Sequence, residues 1–435
     1  MDALKHPYFV EEIVIGSEDP KFTLTRRTFL FSALAVTAGL SRGILPGGLT
    51  AQAQSTPSFS FAYITDTHLA TGLPDNVKLL AESQLFLQNA VKTIREQEVD
   101  FVLLGGDQVE GPGRDDIHWQ LYVDIIQTLE KPWYFVLGEQ DISGPQPVDK
   151  QRTYGPDFKG KGITTGESYW SLDPVNGVHL IGLDTAKANS NTGELRSAQL
   201  DWLKSDLKAN HGKFTIVAGH HPLLPPAPYD SGPPWDEYIV SQGAQAREIL
   251  GSSRDVKLVL NGHIGISKVQ KERDIWYVSA AGLVIYPCQF KIFRVNGNGI
   301  TIETYQVSYP ALVKKAKTAL STARVCFQYD SKKPQLYMQL TEGDALDNNC
   351  LLPLTPGAVP VKTGKKDKKK KPAKKPAKVK AKKEDKKSKV KSEPGPLQAP
   401  QPAPQQDVKG APEVVPSGAV TAPVPTTVIP DSQTK

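Results

Sequence analysis

The sequence predicts an α/β protein with two β-sheets and a cluster of polar side chains at one sheet edge. Strand-like apolar runs alternate with amphipathic helices through the first part of the central region, residues 54–356. This order requires helices that cross over a sheet. The later part of the region is richer in strands, which predicts a second sheet packed against the first. Acidic residues and histidines recur directly after the strand-like runs, where α/β sheets bind ligands.

Apolar residues at helical spacing predict the helices. The expected helices span residues 76–97, 115–129, 197–207 and 242–250, with a further candidate at 311–323. The later strands are expected at residues 178–183, 275–279, 289–295 and 299–308. The turn Asn296-Gly297-Asn298 joins the last two strands, and its composition is typical of a β-hairpin.

Five strand-like runs end at side chains that bind metal ions. They are followed by Asp66 and His68, by Asp107, by Glu139, by His220 and by His263. If these strand ends meet at one edge, they bring together three carboxylates and three imidazoles. Such donors suit divalent or trivalent metal ions. The residues alone therefore predict a metal site.

The amino-terminal segment, residues 1–53, has the features of a removable export signal. Arg26-Arg27 is followed by Thr28-Phe29-Leu30 and a short apolar run, and Ala51-Gln52-Ala53 has the pattern of a cleavage site. The run is shorter than the ~20 apolar residues that span a bilayer. The paired arginines resemble the twin-arginine signal of bacteria, although a basic flank of an ordinary secretion signal is the alternative. We expect export to the periplasm or cell envelope of a bacterium.

The carboxyl-terminal segment, residues 357–435, is expected to be a disordered tail rich in Lys, Pro and Ala. Residues 362–391 contain 17 lysines and 3 acidic residues, a net charge of +14, whereas the whole chain carries +6, which leaves −8 elsewhere. Such a composition does not bury enough apolar surface to fold. The tail is either a solvated spacer or an anchor to an anionic envelope polymer or a membrane surface. The export signal argues against nucleic acid as a partner.

The cysteines and the long loops give weaker signals. The chain has three cysteines and no C-x-x-C motif, so thiolate metal binding is not expected. After export one disulfide is chemically allowed, with Cys326–Cys350 as a candidate pair, and the sequence leaves the pairing open. Long loops at residues 142–168, 184–195 and 223–237 are expected beside the metal site. The first loop carries basic residues that suit a phosphate substrate, although a solvated surface also explains them.

Five short blocks resemble, in order, those of the calcineurin-like metallophosphoesterases. The blocks are Asp66-Thr67-His68, Gly106-Asp107, Gly138-Glu139-Gln140-Asp141, Gly219-His220-His221-Pro222 and Gly262-His263-Ile264-Gly265. Each block alone is a weak signal, but five in order over residues 58–308 are a strong one. The resemblance implies a four-layer α/β/β/α sandwich of two mixed sheets with a two-metal site. It also implies hydrolysis of a phosphate ester or anhydride by metal-activated water.

The family pattern carries over to most of the predicted ligands. It implies that Asp66, His68 and Asp107 hold one metal ion, and that Asp107 also belongs to the second site. The other ligands of the second ion would be Glu139, His220 and His263. The sequence leaves the metal open between Mn, Fe and Zn, and the number between one and two.

Three residues depart from the family pattern. Glu139 stands where the family has asparagine, and Gln140 stands where it has the histidine that assists the leaving group. Glutamine donates a hydrogen bond but delivers no proton near neutral pH. Gly265 stands where the first metal receives its last histidine. His221 is either a substitute acid or a structural neighbour of His220, and the sequence favours neither.

Three functions remain open at this stage. The first is an exported phosphoesterase that acts on a phosphorylated small molecule or lipid. The loss of a general acid often costs ~10²–10⁴-fold in rate, which favours anhydrides or activated diesters as substrates. The second is a degenerate member of the family that binds phosphorylated ligands without hydrolysing them. The third is an envelope scaffold that acts through its basic tail.

Overall fold

The structure is a computed structural model that describes residues 56–72, 77–111, 116–144, 147, 150 and 167–363. The predicted export signal, most of the first long loop and nearly all of the basic tail lie outside these ranges. No helix in the described ranges is both long enough and apolar enough to cross a membrane.

The described residues form short strands and helices whose order follows the predicted alternation. The strands are β1 (Phe59–Ile64), β2 (Phe101–Leu104), β3 (Trp133–Phe135), β4 (Trp170–Val175), β5 (Val178–Gly182), β6 (Phe214–Ala218), β7 (Val256–Asn261), β8 (Lys268–Glu272), β9 (Ile275–Ser279), β10 (Gln289–Asn296), β11 (Gly299–Gln306), β12 (Cys350–Leu352) and β13 (Val361–Lys362). The α-helices are α1 (Ser83–Arg95), α2 (Asp116–Gln127), α3 (Ser197–Ala209), α4 (Gly243–Gly251), α5 (Pro310–Ser321), α6 (Arg324–Tyr329), α7 (Gln335–Glu342) and α8 (Ala345–Asn348). Short 3₁₀ helices lie at Leu80–Glu82, Pro228–Ser231 and Trp235–Tyr238.

These strands form two mixed sheets. The first sheet has the order β13-β12-β11-β10-β1-β2-β3, in which β1, β2 and β3 run parallel and β10 pairs antiparallel with β1. The second sheet has the order β4-β5-β6-β7-β9-β8, with β5, β6, β7 and β9 parallel. The carboxyl ends of parallel neighbouring strands lie at the same edge of a sheet. In each sheet, several of the loops that follow the strands therefore lie at one edge, which we call the rim.

Alternation along the central strands separates the buried layers. In β1, Phe61 and Tyr63 pack between the sheets, whereas Ala62 and Ile64 pack under the helices on the outer face. Phe61 stacks on Phe293 of β10 with ring centroids 4.8 Å apart. A pair of this kind contributes about 0.5–1.5 kcal/mol beyond the area it buries.

Helices cover both outer faces, so the four-layer α/β/β/α order is confirmed. Helices α1, α2, α5, α6 and α7 pack on the first sheet, and α3 and α4 pack on the second. In α1 the buried residues Phe86, Leu87, Ala90, Val91 and Ile94 recur at helical spacing and form one apolar face.

The structure confirms the predicted hairpin and corrects the boundaries of one predicted helix and of the predicted domain. The helix predicted from residue 76 begins as an α-helix at Ser83, after one 3₁₀ turn. The predicted hairpin is present, with Asn296 paired to Gly299. Strand β13 lies beyond the predicted domain end at residue 356 and extends the first sheet, since Lys362 pairs with Cys350.

The candidate disulfide Cys326–Cys350 is not formed. All three cysteines are free and buried. Cys350 lies in the core between the sheets, whereas Cys326 lies in the apolar layer under the outer helices, so different layers hold the two thiols.

Candidate metal centre

Backbone hydrogen bonds join the loops that follow the central strands. The His68 N–H donates to the Asp107 carbonyl at 2.8 Å, and the Asp66 N–H donates to the Gly106 carbonyl at 3.0 Å. In the second sheet, the Gly262 N–H donates to the His220 carbonyl at 2.9 Å. Backbone hydrogen bonds therefore hold the loop after β1 against the loop after β2, and the loop after β6 against the loop after β7, independently of their side chains.

The backbone at this rim is strained. Asp66, His68, Asp107 and His263 have φ values of 53°, 39°, 52° and 69°. Few residues other than glycine adopt the left-handed region, which costs of order 1–3 kcal/mol and is frequent at functional sites. The strain falls on four residues that the sequence predicts to bind metal, which supports a functional rather than a structural origin.

The predicted ligands converge into two adjacent groups. Ligand atoms of Asp107, Glu139, His220 and His263 lie within 4.8 Å of one another, and so do those of Asp66, His68 and Asp107. All six predicted ligand residues are thus brought together, and Asp107 belongs to both groups. We call these the four-residue group and the three-residue group.

Short distances across the shared aspartate define the centre. His220 Nε2 lies 3.3 Å from Asp107 Oδ2 and 3.2 Å from Glu139 Oε2. His263 Nδ1 lies 3.3 Å from the same Glu139 oxygen. In the three-residue group, His68 Nε2 lies 3.6 Å from Asp107 Oδ2 and 3.8 Å from Asp66 Oδ1.

The ring nitrogens that face away from the centre show which nitrogens bear lone pairs. His220 Nδ1 lies 2.8 Å from the Gly105 carbonyl, and His263 Nε2 lies 3.0 Å from the Asn191 carbonyl. A carbonyl oxygen accepts, so each of these nitrogens carries the proton. The opposite nitrogen of each neutral ring then points a lone pair into the centre, the arrangement of metal-binding imidazoles.

Buried atoms without hydrogen-bond partners mark the same point. Within the described ranges, these atoms include Glu139 Oε2, His220 Nε2 and His221 Nε2. A buried polar atom without a partner costs about 1–3 kcal/mol. Lone pairs of a carboxylate and an imidazole that face each other also repel, so a cation between them removes both penalties. The donor set therefore fits a metal ion.

The pKa shifts show how strongly the centre favours positive charge. Burial would lower the pKa of His220, but Asp107 and Glu139 outweigh burial and raise this pKa well above its ordinary value. Burial would raise the pKa of Asp66, but His68, His220 and Thr65 outweigh it and lower this pKa to about 2. The Asp66 carboxylate thus stays ionised over the physiological range.

Gln140 lies at the centre. Its backbone N–H donates to Asp107 Oδ1 at 2.9 Å, and its side-chain amide donates to Glu139 Oε1 at 3.3 Å.

His221 is fully buried beside the four-residue group. Its Nδ1 lies 3.0 Å from the Thr185 hydroxyl, and its Nε2 lies 3.5 Å from Glu139 Oε2. Burial and the neighbouring His263 lower its pKa well below the ordinary value. The structure therefore places both predicted catalytic residues against Glu139.

Gly265, where the sequence comparison above led us to expect a histidine, does not face an open ligand position. Its φ is +67°, and a Cβ at this residue would lie 3.3 Å from the Tyr337 hydroxyl and 3.9 Å from Ile285. The Tyr337 hydroxyl donates to the Ile264 carbonyl at 2.8 Å. Packing from helix α7 thus occupies the space beside Gly265.

Glu110 is a supporting residue that sequence reasoning missed. Its Oε2 lies 2.6 Å from His68 Nδ1, and both of its oxygens accept from Lys78 Nζ at 3.0 and 2.9 Å. A carboxylate on the outer nitrogen orients an imidazole and makes it a stronger ligand. Its position three residues after Asp107 was visible in the sequence, but its contact with His68 was not.

Asp141 is a second supporting residue without a predicted role. Its carboxylate accepts from the backbone N–H groups of Gln108 at 2.8 Å, Val109 at 3.1 Å and Gly138 at 2.9 Å. It therefore holds the loop that follows Asp107 against the loop that carries Glu139. Burial and the charge of Asp107 raise its pKa to about 7.

Comparisons with known proteins agree with this geometry. Residues 59–266 match the family model described as calcineurin-like phosphoesterase. The chain is 27% identical over 213 residues to a 3′,5′-cyclic adenosine monophosphate phosphodiesterase of Haemophilus influenzae, covering 48% of this chain and 70% of that protein. It is 25% identical over 242 residues to a 3′,5′-cyclic-nucleotide phosphodiesterase of Nostoc, covering 54% and 83%. It is 26% identical over 258 residues to human tartrate-resistant acid phosphatase type 5, covering 54% and 75%.

Proposed function

We propose that this protein is a metal-dependent phosphodiesterase of the calcineurin-like phosphoesterase family, whose model matches residues 59–266. The observation that carries the proposal is the convergence of six candidate ligand residues, five of them buried and His263 partly buried, with Glu139 Oε2 and His220 Nε2 left without hydrogen-bond partners. The names of the two bacterial relatives support a phosphodiester of a nucleotide as the substrate class.

The two groups define where metal ions would bind. Asp66, His68 and Asp107 would hold one ion, and Asp107 would share the second with the other members of the four-residue group. A bound ion lowers the pKa of a water ligand and neutralises charge on phosphoryl oxygens. The protein contributes fixed lone pairs, because hydrogen bonds to carbonyl or carboxylate oxygens hold the three imidazoles in one tautomer.

Gln140 limits the leaving groups that the enzyme handles well. Its side-chain amide lies beside Glu139 and has a donor for a phosphoryl oxygen, but it delivers no proton. We therefore expect activated diesters to react faster than simple alkyl monoesters. The lowered pKa of His221 favours a structural role over an acid role, and His221→Gln distinguishes the two. Loss of rate confined to poor leaving groups indicates proton transfer, whereas equal loss for all leaving groups indicates a structural role.

A matched pair of histidine variants tests the proposal. Hydrolysis of bis(p-nitrophenyl) phosphate and of 3′,5′-cyclic AMP is measured with Mn²⁺-loaded protein. We expect His220→Gln to lower kcat/KM at least about 100-fold, because one ligand of the four-residue group is lost. His211→Gln is the control, since His211 is 70% exposed and pairs with Asp255. Equal activity of both variants, or no hydrolysis by the native protein, contradicts the proposal.

A second function follows from the departures at Gln140 and Gly265. A protein that binds phosphorylated ligands without hydrolysing them would keep the metal ligands and lack turnover. Binding of phosphate analogues that depends on metal, together with absent hydrolysis of both diesters, would favour this alternative.

We further propose that the protein is exported by the twin-arginine route and held at the envelope by its basic tail. The Arg26-Arg27 pair and the 17 lysines of residues 362–391 support this proposal. Replacing both arginines by lysine should leave the protein in the cytoplasm. Truncation after Thr363, which keeps β13, should release active protein from the envelope, whereas unchanged retention would contradict the role of the tail.

A further inference from the structure

Four aromatic side chains form a continuous row beside a candidate metal ligand. The Tyr238 ring lies 5.9 Å from the His263 ring, and Trp235 lies 5.6 Å from Tyr238. Tyr329 lies 5.0 Å from Trp235, and Tyr337 lies 5.1 Å from Tyr329. We call Tyr238, Trp235, Tyr329 and Tyr337 the aromatic belt.

Both ends of the aromatic belt contact the loop that contains the candidate metal ligand His263. Tyr238 packs near His263, and the Tyr337 hydroxyl donates to the carbonyl of the next residue, Ile264. In the middle, the Tyr329 hydroxyl donates to Asp230 Oδ1 at 2.9 Å. These contacts fix the belt in place before any ligand arrives.

The members of the belt differ in exposure. Tyr329 and Tyr337 are 3% and 8% exposed and belong to the core under the outer helices. Trp235 and Tyr238 are half-buried, and they lie on the short helix in the Pro-rich loop. The belt therefore has two partly exposed rings, of which Tyr238 lies next to His263 and Trp235 lies next to Tyr238.

We propose that Tyr238 and Trp235 bind a planar ring of the substrate by stacking, so that the preferred substrates are phosphodiesters with an aromatic base. This inference rests on the proposed function and specifies its substrate. Every nucleobase has an aromatic face, and stacking on protein aromatics tolerates any base. Tyrosine and tryptophan provide large rigid surfaces at low entropic cost. The adjacency of Tyr238 to His263 places this surface where a ring attached to a bound phosphate would lie.

Equilibrium binding of a matched ligand pair tests the inference. The ligands are the non-hydrolysable 5′-methylenephosphonates of adenosine and of ribose, which differ in the base alone. Their Kd values for the full-length Mn²⁺-loaded protein are measured by calorimetry. We expect the adenosine analogue to bind the native protein about tenfold more tightly, as stacking of one base implies.

Variants of Tyr238 and Trp235 test whether these residues cause the preference for the adenosine analogue. Tyr238→Leu and Trp235→Leu should each reduce the ratio of the two Kd values toward one while leaving the Kd of the ribose analogue unchanged. Tyr238→Trp should keep the ratio of the two Kd values, because it retains an aromatic ring. This result would show that the loss of the ratio in Tyr238→Leu does not come from a folding defect at this position. Tyr229→Leu is the control, because Tyr229 is 46% exposed and contacts Tyr329 rather than the metal centre.

The outcomes separate this inference from the proposed function. Equal Kd values in the native protein, or a ratio that persists in both leucine variants, overturns the stacking surface. The binding measurement needs no turnover. If the native protein binds the adenosine analogue more tightly but hydrolyses no diester, the stacking surface is supported and the proposed phosphodiesterase activity is contradicted.

Discussion

The carboxylate of Glu110 lies 2.6 Å from Nδ1 of His68, on the side of the imidazole that faces away from the metal centre. Lys78 donates to both Glu110 oxygens and fixes the carboxylate in turn. The other two imidazoles of the centre donate to backbone carbonyls instead. Among these three imidazoles, only that of the three-residue group therefore has a carboxylate on its outer nitrogen.

Glu110→Gln tests this support. We expect about 10–100-fold weaker metal binding at the three-residue group, because the amide supports the charge of a ligated imidazole less well than a carboxylate. Metal titration by calorimetry gives the affinities, and binding to the four-residue group should change little. Glu130→Gln removes a carboxylate that is 72% exposed and pairs with Arg95, so it serves as the control. Unchanged affinity in Glu110→Gln would exclude the positioning role.

Asp141→Asn should destabilise the fold as well as the centre. In the native protein, both oxygens of Asp141 accept hydrogen bonds from backbone N–H groups. The asparagine keeps one of these oxygens and replaces the other by an NH₂ group, which would face a backbone N–H and cannot accept from it. We expect a loss of about 2 kcal/mol in the free energy of unfolding, measured by urea denaturation. The surface variant Asp124→Asn is the matched control. Equal stability of the two variants would show that the three contacts of Asp141 are dispensable.

His179 should make stability depend on pH. Its ring nitrogens lie 2.8 Å from Asp206 and 2.8 Å from Asp173, and its side chain is 3% exposed. Burial would lower the pKa of His179, but these two carboxylates outweigh burial and raise it above the ordinary value. The folded state therefore binds a proton more tightly than the unfolded state. This stabilisation is complete below the unfolded pKa of about 6.5 and disappears as pH rises through the folded pKa.

The variant His179→Gln isolates this contribution. We expect it to be about 2 kcal/mol less stable than the native protein at pH 6, with a difference that shrinks at pH 9. Chemical denaturation at a series of pH values measures the difference. A deficit that stays constant across this range would indicate a packing role without titration. His211→Gln, at an exposed position, should show a smaller effect throughout.

The convergence of the six candidate ligands was predictable from the sequence, because each lies shortly after a strand. Parallel neighbours in one sheet have their carboxyl ends at the same edge, so the proximity of Asp66 and Asp107 follows from the pairing of β1 with β2. His220 follows a strand of the second sheet, so its approach to them depends on how the two sheets pack. The roles of Glu110 and Asp141 were not predicted, because they depend on contacts with loops distant in sequence. The two carboxylate partners of His179 come from a neighbouring strand and a helix, so its ion pairs were not predictable either.

Helix boundaries and the thiol pairing were harder to predict. The apolar spacing that predicts a helix from residue 76 continues across the 3₁₀ turn at Leu80–Glu82, so the pattern alone does not show where the α-helix begins. Cysteine spacing carries no information about the layer of each thiol. The candidate pair Cys326–Cys350 therefore looked available, although the two residues belong to separate apolar layers.

Metal content per chain tests the central claim most directly. Purified folded protein is analysed by elemental analysis, for the native chain and for His263→Ala and His68→Ala. The account predicts roughly two metal ions per native chain and the loss of about one in each variant, because each histidine belongs to a different group. A native chain that contains no metal, or variants that keep the native content, would contradict a metal-dependent phosphodiesterase at this rim.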